Sequence, residues 1–377
     1  MRRLTGIALG TLLFGVLSAG AQIRNVTINT ESEEGKLLQQ AGEAAEPPKK
    51  IALLEEFLAK FAAHDAVGYA HFQLLVEFLK VNNFDKALEH GEKAQAKAAE
   101  DLEVAHFLVK AAEGKGEAER LLAIVEKTHG LAQKVAAAPK PADAEEAEAW
   151  KRNVDFSAQV EQYNQHALFG TAVKQTTPQA KVLLLDALRK NYPGGQFDKS
   201  IDAQFVVAYQ QLGQGDKMVE AAEAALVHDP SNEAYLYMVG EAWVDPAKGK
   251  VDKSQANAQK LLDTLPGKAK PENISDPDWA KHKETYLGLG RSLLGRSLAN
   301  QAKYAPAHKE LLAAVAALKG NNDALAPVLF YLGFCSAKLE RQRDAVTYLT
   351  QASKIAGPYQ AAAADLLKKI RAALSGQ

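Results

Sequence analysis

The sequence predicts an all-α protein built from stacked helix pairs. Apolar residues recur every three or four positions over long runs, whereas the two-residue alternation typical of strands is rare. Proline and glycine interrupt these runs, as at Pro178 and Pro193-Gly194-Gly195, at intervals that suit helices of about three to four turns. One stretch of sequence, which begins at Ile51, also recurs further along the chain from Val182. These three observations favour a serial array of helices over a globule built around a sheet.

The start of the chain, residues 1–21, has the organisation of a secretory signal peptide. Arg2 and Arg3 form a basic start, Leu4 to Leu17 is apolar and uncharged, and Ala19-Gly20-Ala21 resembles a cleavage site. The apolar run is short for a membrane span, and no cysteine follows it that could carry a lipid anchor. We therefore expect a periplasmic or secreted protein without a stable membrane anchor; an uncleaved anchor is the alternative. The polar segment QIRNVTINTESEEG that follows is expected to be loose.

Composition excludes two classes of function and one kind of stabilisation. Lys and Arg total 45 and Asp and Glu total 46, so there is no basic excess for binding nucleic acid or an anionic membrane surface. Cys335 is the single cysteine, which excludes an internal disulfide. Because it lies in an apolar helical run, we expect a buried thiol rather than a reactive one.

An internal duplication covers several consecutive helices. Residues Ile51–Ala94 align without a gap with Val182–Ala225. Matched positions include Leu54 with Leu185, Phe78 with Tyr209, Asp85 with Asp216, and Glu89 with Glu220. The long ungapped register favours duplication; chance likeness between amphipathic helices is the alternative.

A shorter period of 34 residues lies within this block, as in the interval from Tyr209 to Trp243. The clearest copy of the underlying pattern comprises Leu329, Leu332-Gly333, Ala345, Leu349, Ala352 and Pro358. This pattern resembles the tetratricopeptide repeat, although Ser336 stands where an aromatic residue is usual and Pro358 comes one place late. The resemblance implies antiparallel helix pairs stacked into an α-α superhelix, with small residues at the helix contacts.

Two segments interrupt the repeats. One is a long loop over residues 267–279, which is expected to end in a helix cap at Ser275 or Asp276. The other is a linker-like stretch. Residues 134–150 begin with alanine, proline and lysine, a composition typical of a semi-flexible linker, and then become acidic. We therefore predict a signal peptide over residues 1–21, an N-terminal repeat block over 22–133, a linker over 134–150 and a C-terminal repeat block over 151–377.

The motifs of enzymatic chemistry are incomplete. The stretch GRSLLGRS, residues 290–297, has Arg296 where a phosphate-binding loop has lysine, and a helical pattern precedes it instead of a strand. The nine histidines form no HExxH or other close ligand pair, and there is no G-x-S-x-G elbow. The sequence therefore predicts no catalytic residues, no cofactor and no metal site.

The family resemblance implies that the first helix of each pair lines a concave groove. The side chains that this places in the groove are Tyr69, Phe72, Val76, Tyr237, Glu241, Arg291, Phe330 and Phe334. Exposed aromatic anchors with a few oriented charges suit recognition of a peptide. The alternative is that these aromatic side chains pack against neighbouring repeats or a capping helix.

We accordingly predict a non-enzymatic exported scaffold that binds a protein or peptide partner through its groove, with envelope assembly as one fitting setting. Two alternatives remain. The chain could be a structural subunit that packs its convex face into a larger envelope complex, or an enzyme whose site is assembled from dispersed residues.

Overall fold

The protein is described by a computed structural model that covers residues 23, 24, 26 and 28–375. The predicted signal peptide, residues 1–21, lies outside the described residues. Within the described part the chain is helical and has no strand, which confirms the all-α prediction. The chain divides into two compact units, residues 1–204 and 205–377, and the division falls within the helix Asp198–Gln211.

Unit 1 contains eight complete helices in the described part of the chain and the first half of a ninth. They are α1 (Glu33–Glu43), α2 (Pro47–Lys60), α3 (Val67–Lys80), α4 (Phe84–Lys97), α5 (Leu102–Lys115), α6 (Ala118–Ala136), α7 (Ala144–Lys174), α8 (Pro178–Asn191) and α9 (Asp198–Gln211). Consecutive helices from α1 to α8 pack against each other, and α3 also contacts α5, α5 contacts α7, and α6 contacts α8. This is the contact pattern of helix pairs stacked in series.

Unit 2 holds the rest of α9 and eight further α-helices within the described residues. They are α10 (Gly215–His228), α11 (Glu233–Trp243), α12 (Val251–Thr264), α13 (Asp276–Asn300), α14 (Tyr304–Ala317), α15 (Asn322–Lys338), α16 (Gln342–Ala352) and α17 (Gln360–Ser375), with a short 3-10 helix at Pro246–Lys248. Again neighbours pack in order from α10 to α17, and α11 contacts α13, α13 contacts α15, and α15 contacts α17. The predicted stacking of helix pairs is therefore confirmed in each unit.

Several helices begin at a short polar residue whose side chain accepts a hydrogen bond from the first turn, or at a proline. The Asn83 side chain accepts from the Lys86 N–H at 3.2 Å, and Ser275 Oγ accepts from the Asp278 N–H at 3.3 Å. Proline opens both α2 and α8, where its missing N–H costs no helical hydrogen bond.

The helix bounds agree with the predicted duplication. Helices α2, α3 and α4 have 14 residues each, and α8, α9 and α10 have the same lengths. Every bound of the second set is displaced from its counterpart by the same interval, the one that separates Ile51 from Val182. The connections match as well, because Asn82 between α3 and α4 has φ 55° and Gly213 between α9 and α10 has φ 66°.

One turn geometry joins the two helices of four pairs: α3/α4, α9/α10, α13/α14 and α15/α16. Each turn contains a left-handed residue, and the four are Asn82, Gly213, Ala302 and Glu340. The next residue's N–H then donates at 2.9 Å to a carbonyl five residues earlier, as from Arg341 to Ser336. This closes the first helix of each pair in the same way and directs the chain back along it.

Small residues allow the close helix contacts that the repeat pattern predicts. A Cβ on Gly333 of α15 would lie 2.5 Å from Leu349 Cγ of α16, which is too close for any side chain. Ala345, Ala352 and Leu332 are fully buried at the surrounding contacts. Cys335 is also buried, and burial raises the pKa of its thiol to about 12, so the predicted buried thiol is confirmed.

The stretch that was predicted as a linker is partly helical. Lys134 lies in the last turn of α6, residues 137–143 are not helical, and Trp150 belongs to the start of α7. The Trp150 indole donates to the Ala138 carbonyl at 2.8 Å, which ties the connection to α7. The division of the chain into repeat blocks at residues 134–150 stays a prediction.

Candidate functional site

A cluster of partly exposed aromatic side chains in unit 2 lies on α11, α15 and the turn before α17. We call it the aromatic surface and define it by Tyr237, Glu241, Phe330, Tyr331, Phe334 and Tyr359, with Arg296 beneath it. The ring centroids of Phe330 and Tyr359 are 5.4 Å apart, and those of Phe330 and Tyr331 are also 5.4 Å apart. Tyr331 and Phe334 stand at 6.4 Å, edge to face. Such spacings hold the rings in fixed orientations.

An ion pair with a buried arginine connects the helices that carry the aromatic surface. Arg296 of α13 donates from Nη1 to both carboxylate oxygens of Glu241 on α11, at 2.9 and 2.8 Å. Its Nη2 donates to the Tyr359 hydroxyl at 3.2 Å, and its guanidinium lies 5.8 Å from the centre of the Tyr331 ring. One arginine therefore links three separate segments of the chain.

The two partners of this ion pair differ in exposure. The Arg296 side chain is 5 % exposed, whereas that of Glu241 is 39 % exposed. Burial alone would lower the Arg296 pKa, but Glu241, together with Tyr359 and Tyr331, outweighs that effect and the pKa is raised. Burial, together with the nearby Glu241 charge, raises the Tyr237 pKa. The surface therefore presents aromatic rings beside one oriented carboxyl group.

The structure brings four of the predicted groove residues together and separates the others. Tyr237, Glu241, Phe330 and Phe334 belong to the aromatic surface. Arg291 also lies on α13, but it pairs with Glu310 of α14 at 3.0 Å.

The three candidates in unit 1 all lie on α3. Tyr69 and Val76 are half-buried, and Phe72 is fully buried. The Phe72 ring packs edge to face with Phe107 of α5 at 5.6 Å and lies beneath the guanidinium of Arg24.

Three residues of the unit 2 cluster were missed by sequence reasoning: Arg296, Tyr331 and Tyr359. A signal for Arg296 existed, because it is the single charged residue between Ser292 and Ala299 in a run that is otherwise apolar or small. A lone charge in a buried stretch needs a partner. Nothing local identified that partner, since Glu241 is 55 residues away.

A recess lies in unit 1 between α2, α3 and α4, with a volume of about 440 Å³. His71 and His90 meet in its wall with their Nδ1 atoms 2.9 Å apart, so one ring donates and the other accepts. Burial lowers the pKa of each ring to about 4, and both histidines are therefore neutral at neutral pH. Lys86 and Lys93 line the same recess but are paired with Glu89, at 2.9 and 2.8 Å. The recess thus presents an uncharged imidazole pair beside two lysines that share one carboxylate.

Metal-ligating clusters and membrane-spanning helices are both absent from the described residues. No group of three or more His, Cys, Asp or Glu side chains in that part of the chain lies close enough to hold a metal ion. None of the helices described is both long and apolar enough to cross a membrane.

The chain matches no protein-family model and no curated protein. It is similar to several solved structures, each at low sequence identity. For the P58(IPK) TPR domain the identity is 11 %, with 92 % of this chain and 99 % of that chain covered and a TM-score of 0.32. The APC/C hetero-tetramer Cut9-Hcn1 is 14 % identical, with 92 % of this chain and 65 % of that chain covered and a TM-score of 0.37. Yeast Tom70 is 10 % identical, with 92 % of this chain and 97 % of that chain covered and a TM-score of 0.23. At these TM-scores the likeness carries no argument about this chain, whose architecture rests on its own helix pairs.

Proposed function

We propose that the chain is a non-enzymatic scaffold that binds a protein or peptide partner through the aromatic surface of unit 2. The observation that carries this proposal is the grouping of half-buried rings around a half-exposed carboxylate. Large aromatic side chains provide contact area while losing few rotamers on binding, and they dominate the energetics of protein interfaces.

The ion pair supports a role in orienting a partner. Because Arg296 holds both oxygens of Glu241, the carboxylate is fixed before a partner arrives. A fixed acceptor beside apolar rings suits the backbone N–H or basic side chain of a bound segment. Such preorganisation reduces the entropy that is lost on association.

Substitution of the outer rings tests this proposal. Phe330→Ala combined with Phe334→Ala removes two anchors, and co-purification of the tagged chain with its cellular partners measures the consequence. Leu312→Ala is a matched control, because Leu312 is a 50 % exposed apolar residue on α14. We expect the double variant Phe330→Ala/Phe334→Ala to lose the partner and the control Leu312→Ala to retain it. Retention of the partner by both variants would contradict the proposal and favour the alternative of a subunit that packs through its convex face.

We also propose that the chain is exported and serves in the bacterial envelope. This rests on the basic, apolar and small-residue organisation of residues 1–21. Cell fractionation combined with N-terminal sequencing tests it: the expected mature protein lies in the periplasm or medium and begins at Gln22. A cytoplasmic protein that retains Met1 would contradict it.

A further inference from the structure

The recess between α2, α3 and α4 has two walls of different chemistry. The apolar wall comes from α2, the start of α3 and the connection between them, and it comprises Leu58, Ala59, Ala62 and Val67. The polar wall is formed by acidic, basic and imidazole side chains, those of Glu55, His71, Lys86, Glu89, His90 and Lys93. The volume of about 440 Å³ lies within the range of about 300–1,000 Å³ that is typical of small-molecule sites. The recess therefore has the size and the mixed lining that a small amphipathic molecule needs.

The internal duplication supplies a comparison for this recess. Helices α8 and α9 are the second copy of α2 and α3, and there Arg189 stands at the position of Leu58 and Asp202 at the position of His71. Arg189 and Asp202 bond to each other, and Asp202 is only 6 % exposed. The second copy thus joins its two helices by an ion pair at the positions where the first copy places a leucine and a histidine in the wall of the recess.

Other lining positions also differ between the two copies. The apolar Val67 has the charged Asp198 as its counterpart, and His90 has Ala221. The helices nevertheless have the same lengths in both copies. The apolar wall and the histidine pair are therefore not needed to form the repeat, and they distinguish the first copy.

The charges of the polar wall favour an anion. Lys86 Nζ lies 2.9 Å from one oxygen of Glu89, and Lys93 Nζ lies 2.8 Å from the other. Each ammonium group has three N–H donors and uses one of them on Glu89, so both can bond to a second anion. The hydrogen bond to Glu89 is the main cause that raises the Lys86 pKa, and Glu55 of α2 contributes least. Lys93 has Ala224 as its counterpart, so the pairing of two lysines with one carboxylate is also confined to the first copy.

We propose that the recess binds a small organic carboxylate, with its head group at Lys86 and Lys93 and its apolar body against Leu58 and Val67. Two lysines that share Glu89 carry one positive charge in excess, and a monoanion neutralises it. The histidine pair lies in the same wall and is uncharged, since each ring satisfies the other's Nδ1. This site belongs to unit 1 and is independent of the partner binding proposed for the aromatic surface of unit 2.

Hexanoate is the probe, because it combines a carboxylate with an apolar chain. Proton NMR of the imidazole C2–H signals measures its binding, with the signals assigned through His71→Asn and His90→Asn. We expect hexanoate to shift both signals with a Kd of about 1 mM, as suits a ligand of this size. Acetate lacks the apolar chain, hexan-1-ol lacks the charge and hexylammonium reverses it. Each of these three should bind at least about tenfold more weakly than hexanoate.

Two variants of the full chain test the two walls. Lys93→Gln removes one of the paired lysines and should weaken hexanoate binding about tenfold. Lys151→Gln is its matched control, because it breaks a similar ion pair of α7, with Asp155 at 2.5 Å, away from the recess, and it should leave binding unchanged. Leu58→Arg combined with His71→Asp introduces the ion pair of the second copy and should abolish the shift of the His90 signal.

Four results would overturn the proposal. Hexanoate might leave the two signals unshifted, or Lys93→Gln might bind it as tightly as the wild type. Equal binding of hexan-1-ol would show that the recess recognises only an apolar chain, and tighter binding of hexylammonium would assign it to a cation. Circular dichroism of each variant establishes that its helices are intact, so that lost binding is not mistaken for lost folding.

Discussion

Replacement of Gly91 by alanine tests whether helices in unit 1 meet at glycine. Gly91 lies in the middle of α4, and a Cβ there would be 2.5 Å from Leu108 Cδ2 and 3.2 Å from Leu75 Cδ2. Both leucines are buried, so neither can move its side chain into solvent. The added methyl group must therefore push α4 away from α5 or force a leucine out of its rotamer.

Two opposing terms set the size of the effect. Overpacking of a buried contact costs about 1–3 kcal/mol. Alanine in place of glycine favours a helix by about 1 kcal/mol. The expected net loss in free energy of unfolding for Gly91→Ala is therefore about 1 kcal/mol, and at most about 2.

Gly130 of α6 supplies a matched control. It is exposed in the same unit, and a Cβ there would meet nothing within 4 Å. Gly130→Ala should therefore stabilise the protein by about 0.5–1 kcal/mol through helix propensity alone. The difference between the two variants removes the propensity term and leaves the packing cost of about 1–3 kcal/mol.

Urea denaturation followed by far-UV circular dichroism measures both variants against the wild type. A lower midpoint for Gly91→Ala and a higher midpoint for Gly130→Ala are expected. Equal midpoints for the two variants would refute the reasoning, because they would mean that α4 and α5 do not depend on glycine for their approach.

Three further predictions concern other contacts. Ala345→Leu should lower the urea midpoint by a loss of about 1–3 kcal/mol through overpacking, and an unchanged midpoint would remove Ala345 from the α15–α16 contact. Glu241→Ala should lower the free energy of unfolding by about 1–3 kcal/mol, because Arg296 then remains buried without its anion. The loss is smaller than for a fully buried pair because the Glu241 side chain is 39 % exposed. An unchanged midpoint in a thermal melt would contradict this prediction. The pKa values of His71 and His90 are about 4 in the folded protein against an ordinary value near 6.5, so the unfolded chain binds more protons and stability should fall as pH drops from about 6.5 towards 4. His90→Asn should reduce this pH dependence in urea melts, and an identical dependence in the variant would count against the pair.

Repeat architecture was predictable because it is encoded in short stretches. The duplicated block could be aligned from its apolar positions, and the helix bounds repeat at the displacement that this alignment gave. Gly333, Ala345 and Ala352 were predicted at helix contacts from their small size and their spacing, and all three are buried. Amphipathic periodicity is a local property, and any chain with this pattern must bury the same faces.

The turns within the pairs were less predictable. Gly213 suits its left-handed conformation, whereas Ala302 and Glu340 adopt φ 60° against their own preference. Their conformation is imposed by the packing of the helices on either side, whose burial outweighs the local cost. Sequence propensity at a single residue could not reveal this.

The sequence by itself determined that the chain is helical, that its helices form pairs, and that these pairs repeat. Tertiary structure alone decided which distant residues meet: Arg296 with Glu241 across 55 positions, and Arg24 with Glu103 across 79. The physical reason is that burial patterns depend on neighbours within one or two helical turns, whereas a charge pair depends on the angle and offset at which whole helices stack.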